Sequence, residues 1–262
     1  MKGKVDLSIS IVIYRDYEDV LQAIDSIEKN TTKDIKKQIY IIDNSEFEDD
    51  NKYKKDFISS IRKNDEIIYI DPHVNLGFGK GHNYVLNKIN SEYHAFLNPD
   101  VVLNNDAFKA LLNMFTDETV GMVIPRIVDQ RGEILPVYRR DITVTDMLIR
   151  IFFSFMFKKR QAFHTLQDQD YDNSFDVPFG QGSFLVIRTK LLKELEGFDE
   201  RFFMYLEDAD LCKRVNKVSR LVYCPDAIVM HKWEKGSHKN PKLLLTHLSS
   251  MIKYFNKWGL SF

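Results

Sequence analysis

Cysteine is nearly absent: the 262-residue sequence has two, Cys212 and Cys224. They show no metal-type spacing and no second cluster, so neither a disulfide scaffold nor a cysteine zinc site is supported, and a reducing, cytoplasmic setting fits best. An excess of one charge is missing too. The 37 Lys and Arg against 38 Asp and Glu leave a formal charge of −1, far from the basic surplus of a nucleic-acid binder. No apolar run approaches the roughly 18 residues of a membrane span. The start, Met1 to Asp6, leads into a strand-like segment containing Asp6, Ser8 and Ser10, without the apolar core of a secretory signal. There is no internal repeat and no low-complexity tract. What remains is 44% hydrophobic and 29% charged, enough to bury a sizeable core in one large α/β domain or two small ones.

The first half alternates strand and helix. Leu7 to Tyr14 reads as a buried strand, followed by Val20, Leu21, Ile24 and Ile27 at helical spacing. Ile39 to Ile42 ends at Asp43-Asn44-Ser45. Ile67 to Ile70 leads into Asn75-Leu76-Gly77-Phe78-Gly79-Lys80-Gly81-His82-Asn83 and a helix reaching about Lys88. Tyr93 to Leu97 ends at Asn98-Pro99-Asp100, with a helix through Ala107, Leu111 and Phe115 behind it, and Val120 to Ile124 reads as a fifth strand. Such alternation builds βαβ units and a mostly parallel sheet, whose ligands bind beyond the carboxyl ends of the strands. Asp43-Asn44, the Asn75 to Asn83 loop and Asn98 to Asp100 all fall on that edge.

The second half differs. After the polar loop with Tyr138-Arg139-Arg140 comes Val144 to Phe157, apolar except at Thr145, Asp146, Arg150 and Ser154. The last three, four apart, form a narrow polar stripe on a greasy helix closed by Lys158-Lys159-Arg160. A strand around Ser183 to Ile187, a helix from about Thr189 and the acidic cluster Asp199 to Asp210 follow. A final helix from Pro241 places Leu244, Leu248, Met251, Phe255 and Trp258 on one side, with Lys242, Lys253 and Lys257 around it.

Four features carry possible chemistry, each with a plainer reading beside it. Asn98-Pro99-Asp100 at a strand end is either a turn or a carboxylate ligand for a hard cation with positions open for diphosphate oxygens. Gly77 to Gly81 lacks the dinucleotide fingerprint and stands outside the first βα turn, which rejects NAD. It is either a plain loop or one that lets backbone approach a phosphate or ribose, with Lys80 and Asn83 beside it. Glu207-Asp208 opens the helix that Leu211, Val215 and Val218 outline, as an acidic cap or as a general base in an aromatic-walled cleft. His231, after Ala227 to Met230 and before Trp233, Lys235 and His238, is a structural histidine or a metal or diphosphate ligand.

In order along the chain, Ile11-Val12-Ile13-Tyr14, Asp43-Asn44-Ser45, Asn75 to Gly79 with Asn83, Asn98-Pro99-Asp100, Gly182-Ser183-Phe184 with Arg188, Gly197-Phe198-Asp199-Glu200 through Glu207 to Leu211, and Pro225-Asp226-Ala227 before His231 resemble family 2 glycosyltransferases of the GT-A fold, especially bacterial rhamnosyltransferase-like members. The resemblance implies a single GT-A domain of α/β class, with a Rossmann-like, mixed but mostly parallel sheet flanked by helices. Residues 1–100 would form a nucleotide-binding half, 101–240 an acceptor and catalytic half, and 241–262 an amphipathic helix. It further implies an inverting enzyme that moves a sugar, rhamnose favoured, from a nucleotide diphosphate sugar to a growing, lipid-linked surface polysaccharide of the cell envelope. Tyr14, Asp43, Asn44, Asn75, Gly79, Lys80, Asn83, Asn98 and Asp100 would bind the nucleotide sugar. Asp100 and His231 would hold Mg²⁺ or Mn²⁺, Asp208 would be the base and Glu207 its neighbour. Arg15 stands where the family commonly has Asn, and Asn98 replaces the first Asp of the metal motif, leaving fewer charged ligands.

Two other functions fit the sequence less well. A sugar nucleotidyltransferase would need a glycine- and lysine-rich loop where Arg15-Asp16-Tyr17-Glu18 stands. A silent glycan-binding protein would not need Asp43, Asp100 and Asp208. Val144 to Arg160 is too short to span a bilayer. It either lies on anionic headgroups at the cytoplasmic face of the inner membrane, which would suit a lipid-linked acceptor, or packs in the core or a homodimer contact.

Overall fold

The protein is described by a computed structural model over residues 5–47, 51–152, 155–232 and 241–261. Ser154, Trp233, Lys235 and His238 lie outside the described residues. The apolar runs of the first half become parallel strands β1 (Val5–Ile13), β2 (Lys37–Asp43), β3 (Ile67–Ile70) and β4 (Ser91–Leu97). Between them lie α1 (Tyr17–Asn30), α2 (Lys52–Ile61) and α3 (Phe78–Asn83). α2, which the apolar spacing does not announce, is started by Asn51, whose side chain accepts from the Lys54 N–H. α3 stops at Asn83 and a separate 3₁₀ turn, Leu86–Lys88, follows, where the sequence suggested one helix.

Beyond β4 the chain adds β5 (Val101–Leu103), α4 (Ala107–Asn113), β6 (Val120–Val128), β7 (Tyr138–Arg139), α5 (Val144–Phe152), α6 (Lys158–His164), β8 (Phe179–Gly180), β9 (Phe184–Arg188), α7 (Thr189–Glu194), α8 (Glu207–Val215), β10 (Arg220–His231) and α9 (Pro241–Trp258). The strand order β3-β2-β1-β4-β9-β6-β10-β5 forms an eight-stranded sheet that runs through both halves. β9 is antiparallel to β4 and β6, and β5 to β10, while the other pairs are parallel. The carboxyl ends of β1, β2, β4, β6 and β10 therefore share one edge. Two strands are longer than their apolar runs suggest: β6 continues to Val128, and β10 begins at Arg220 and passes an irregularity between Cys224 and Ile228.

The greasy segment at 144–160 is two helices rather than one. Its polar stripe faces inward: Asp146 is bound by Arg160 Nε at 2.6 Å and the Thr143 hydroxyl at 2.7 Å, so α6 folds back onto α5. Met147 and Ile149 are buried, whereas Leu148, Phe155, Met156 and Phe157 are exposed. α9 packs with Met251, Tyr254 and Phe255 inward. Two of its lysines are internal ties, with Lys257 Nζ bridging Asp199 (2.8 Å) and Asp210 (2.7 Å) and Lys253 bonding the Arg201 carbonyl.

β1 is buried on both faces, and its polar side is satisfied by a chain of side chains. Ser91 Oγ meets Ser8 Oγ at 2.7 Å. Ser8 and Ser10 meet the two ring nitrogens of His94 at 2.6 and 2.9 Å, and Ser10 meets His82 Nδ1 at 2.7 Å. Burial drives both imidazoles below the usual histidine range, His94 to about 3. Both therefore stay neutral in the folded protein while an unfolded chain takes up protons below pH 6.5, so stability falls as pH drops. Between pH 7.5 and 5.5 the loss should be about 1.4 kcal/mol for each histidine. Urea denaturation at the two pH values measures it, and equal stabilities would mean that the imidazoles are charged in the fold.

Candidate active site

At the end of β2, Asp43 has no solvent exposure. Its Oδ2 accepts from the Tyr17 hydroxyl at 2.8 Å and the Tyr69 hydroxyl at 2.6 Å, and its Oδ1 accepts from the Ser45 N–H at 2.9 Å. Burial pushes both phenols up, Tyr17 to about 12, which keeps them protonated as donors to this carboxylate. Past the end of β1, Tyr14 is 41% exposed and Arg15 adopts a left-handed φ of 69°. The Arg15 guanidinium lies 5.1 Å from the Tyr14 ring and 4.9 Å from that of Phe47. A cleft of about 530 Å³ opens beside it, between Arg15, Tyr17, Leu21, Phe47, Tyr53 and Phe57.

The glycine loop joins the two halves. Asn75 Oδ1 accepts from the Gly77 N–H and Asn44 Nδ2 donates to the Gly77 carbonyl, while Asn44 Oδ1 is buried without a partner. Gly77 has φ +77°, and a Cβ there would sit 2.1 Å from the Phe203 carbonyl oxygen, which accepts from the Phe78 N–H at 2.9 Å. A Cβ on Gly79 would meet Phe198 at 2.8 Å. The side chain of Asn83 clamps Phe198, donating to its carbonyl at 2.8 Å and accepting from its N–H at 2.9 Å. Gly77 and Gly79 are thus required by the approach of Phe203 and Phe198, and Gly81 by that of Val12. Lys80 is half-exposed, 3.7 Å from Glu200.

Beyond β4, Asp100 Oδ2 lies 3.1 Å from His231 Nε2, because β10 pairs His231 with Val101. His231 is buried with Nδ1 unpartnered, and Asn98 Oδ1 is buried without a partner. Among the described residues no three His, Cys, Asp or Glu side chains converge as a metal cage. One carboxylate, one imidazole and an unclaimed amide oxygen fit a divalent cation that takes its remaining ligands from water and phosphate oxygens.

α8 starts immediately after two left-handed residues, Tyr205 (φ 71°) and Leu206 (φ 67°), a strained entry that sets Glu207 and Asp208 at the helix start. Asp208 keeps partial exposure, and both its oxygens are aimed: Oδ2 accepts from the Gly182 N–H at 2.9 Å and Oδ1 from the Ala209 N–H at 2.8 Å. A Cβ on Gly182 would stand 3.0 Å from that of Asp208, so the close approach needs glycine. Ser183, the next residue, gives its carbonyl to the Asn98 N–H at 2.8 Å. One dipeptide therefore ties Asp208 to the Asn98–Asp100 turn.

Burial raises the Asp208 carboxyl above its ordinary range, while the two N–H groups and the cations of Arg139 and Arg150 oppose the rise. Glu207 is more deeply buried, with Oε2 unpartnered, and is pushed well above the usual carboxylate range by burial and then by the charge of Asp208. Of the pair, Glu207 holds its proton more tightly.

The structure thus brings Asp43, Asn44, Asn98, Asp100, His231, Glu207 and Asp208 to one side of the sheet, with Tyr14 at its exposed rim. Asn75 and Gly79 support the glycine loop, Asn83 locks the loop to Phe198, and Lys80 faces Glu200. Sequence reasoning missed Tyr17 and Tyr69 as partners of Asp43, and Arg139 and Arg150 as neighbours of Asp208. Arg150 did carry a signal, a charge within an otherwise apolar helix.

The mixed sheet with a carboxylate-lined edge is that of GT-A glycosyltransferases. GalNAc-T7 with UDP, GalNAc and Mn²⁺ superposes at TM-score 0.66 (16% identity, 89% of this chain and 46% of that one). A Pyrobaculum calidifontis mannosyltransferase with GDP-Man and Mn²⁺ superposes at 0.62 (14% identity, 96% and 65%). The Glycosyl transferase family 2 profile matches residues 8–196, and the chain belongs to that family. Relatives include the hexosyltransferase Agl10 of low-salt glycan biosynthesis in Haloferax volcanii (25% identical, 81% of this chain and 62% of that protein). Others are the N-acetylglucosaminyl-diphospho-decaprenol L-rhamnosyltransferase of Mycobacterium tuberculosis (32%, 60% and 51%) and the rhamnosyltransferase WbbL of Escherichia coli (26%, 68% and 69%). The chain spans 51% to 69% of the length of these three proteins.

Proposed function

We propose that this protein transfers a hexosyl group, with L-rhamnose favoured, from a nucleotide diphosphate sugar to a hydroxyl of a lipid-linked glycan, with inversion at the anomeric carbon. Rhamnose is favoured by the rhamnosyltransferases among its relatives. The observation that carries the reading is the Gly182–Ser183 link, which holds an oriented, partly exposed Asp208 beside the Asn98–Asp100 turn.

Asp208 takes the proton of the acceptor hydroxyl as its oxygen bonds the anomeric carbon. The nucleotide diphosphate leaves from the opposite face with the electron pair of the broken bond. One carboxylate suffices for this inversion, whereas glycoside hydrolysis needs a protonated acid across the scissile bond as well. Asp43, Asn44 and Tyr14 line the end of the sheet where the nucleoside would lie. Asp100 and His231, with Asn98 beside them, would hold a divalent cation, which when bound neutralises charge on the departing diphosphate.

Among the described residues no helix is long and apolar enough to cross a membrane. The exposed Leu148, Phe155, Met156 and Phe157, followed by Lys158 and Lys159, support peripheral contact with an anionic membrane carrying the acceptor.

Asp208→Asn should lower kcat by about 10²–10⁴-fold with the fold intact by circular dichroism. In the parent enzyme the acid limb of the pH–rate profile should fall above the ordinary aspartate range, because activity is lost as pH drops through a raised pKa. Near-normal turnover of the variant would remove Asp208 as the base. In thermal-shift assays, one nucleoside diphosphate should stabilise the protein with Mn²⁺ and much less in EDTA, and Asp100→Ala should lose the metal-dependent part. No shift with any of dTDP, UDP or GDP would sink the donor assignment. Purified protein should co-sediment with anionic vesicles, and Phe155→Ser with Met156→Ser should weaken it; absence of binding by the parent protein would remove the membrane contact.

A further inference from the structure

The proposed donor and base chemistry leaves two arginines without an assignment, Arg139 buried and Arg150 partly exposed. Arg139, on β7, is 7% exposed and its Nε is buried without a hydrogen-bond partner. Its guanidinium carbon lies 5.3 Å from the centre of the Phe179 ring. Arg150 projects from α5 on the inward stripe and makes no hydrogen bond or ion pair with another described residue. Asp146, its neighbour on that stripe, is already engaged by Arg160, the Thr143 hydroxyl and, at 3.6 Å, His164. His164 is held down to about 4 by burial and stays neutral, so it neither neutralises the cations nor adds to them.

The two guanidiniums are close enough to repel one another, and burial followed by that repulsion lowers Arg139 to about 9. The carboxylate acting on both is Asp208, whose oxygens already accept from Gly182 and Ala209. Unpaired donors in such a place are costly, and a bound anion removes the cost. Phosphate oxygens match the fork of an arginine better than a single carboxylate does.

The fold also sets the side of the site on which this pair lies. β7 pairs with β8, placing Arg139 opposite Phe179, three residues before the Gly182 that holds Asp208. Asp100 and His231 are positioned instead by β4, β5 and β10, at the edge assigned to the departing diphosphate. An inverting base stands on the nucleophile's side of the sugar, so a group bound between Asp208, β7 and α5 travels with the acceptor. α5 turns Arg150 inward while Leu148 is exposed, as suits an acceptor with a charged head and an apolar tail.

We propose that Arg139 and Arg150 form an acceptor subsite for a phosphoryl group close to the attacking hydroxyl, so that the enzyme acts on a sugar phosphate or sugar pyrophosphate rather than on a neutral glycan end. This rests on Asp208 being the base of the proposed transfer.

The test compares the parent enzyme with Arg150→Gln, Arg150→Lys and Arg139→Lys. Arg150→Gln changes a partly exposed residue, and Arg139→Lys keeps the charge in case loss of the buried arginine prevents folding. Calorimetric titration with inorganic pyrophosphate in EDTA should show binding that Arg150→Gln weakens roughly tenfold or more and Arg150→Lys partly restores. In transfer assays, the preference for a sugar 1-pyrophosphoryl lipid over the neutral alkyl glycoside of the same sugar should fall about tenfold in Arg150→Gln, through KM for the acceptor. A fall in kcat that is equal for both acceptors would mean that the arginines only tune Asp208, and a rise confined to KM for the nucleotide sugar would place the anion on the donor; either overturns the subsite. Should the parent protein transfer no sugar, the enzymatic reading fails separately, and the pyrophosphate titration still decides whether the subsite exists.

Discussion

Two adjacent carboxylates, Glu207 and Asp208, are taken out of bulk water at the start of one helix, and much of the surrounding structure meets that cost. Burial favours their protonated forms, so an ionised Asp208 persists only with compensation. The Gly182 and Ala209 N–H groups and the helix start supply part of it, and Arg139 and Arg150 supply charge. The strained residues Tyr205 and Leu206 aim the pair, and α9 holds the far side. Asp210, without exposure, is bound there by Arg214, Lys257 and the Trp258 indole N–H. Removing one partner of so buried an anion is expected to be far more harmful than losing a surface ion pair.

The same economy of contacts explains the glycine loop. Its position after β3 and its small residues suggest a phosphate cradle, yet the space a side chain would need at Gly77 and Gly79 is filled by Phe203 and Phe198. Asn83 completes the seam with two hydrogen bonds to one backbone residue. The loop that borders the proposed nucleotide end of the sheet is thereby mechanically continuous with the segment leading to Asp208. Movement of one is expected to be felt by the other.

Much of the architecture was legible in the chain because strands buried on both faces are written as short apolar runs, and those of β1 to β4 are separated by polar turns. The carboxyl-end edge, and with it Asp43, Asp100 and Asp208, followed from that pattern and the family resemblance. α2 was not legible, since Lys52 to Ile61 is largely polar and is started by a capping asparagine. The division of 144–160 into α5 and α6 was hidden as well, because the tie from Asp146 to Arg160 crosses a turn and has no periodic signature.

The sequence by itself determined the α/β class, the polar strand ends and the acidic start of α8, since these depend on local periodicity and on residues near one another in the chain. Only the tertiary structure decided that Asp100 meets His231 across 131 positions, that Tyr17 and Tyr69 donate to Asp43, and that Arg139 and Arg150 converge on Asp208. Those pairings arise from strand order and from the inward turn of α5. Neither leaves a mark in local composition, because a buried arginine and a solvated one are the same letter until the surrounding chain removes the water.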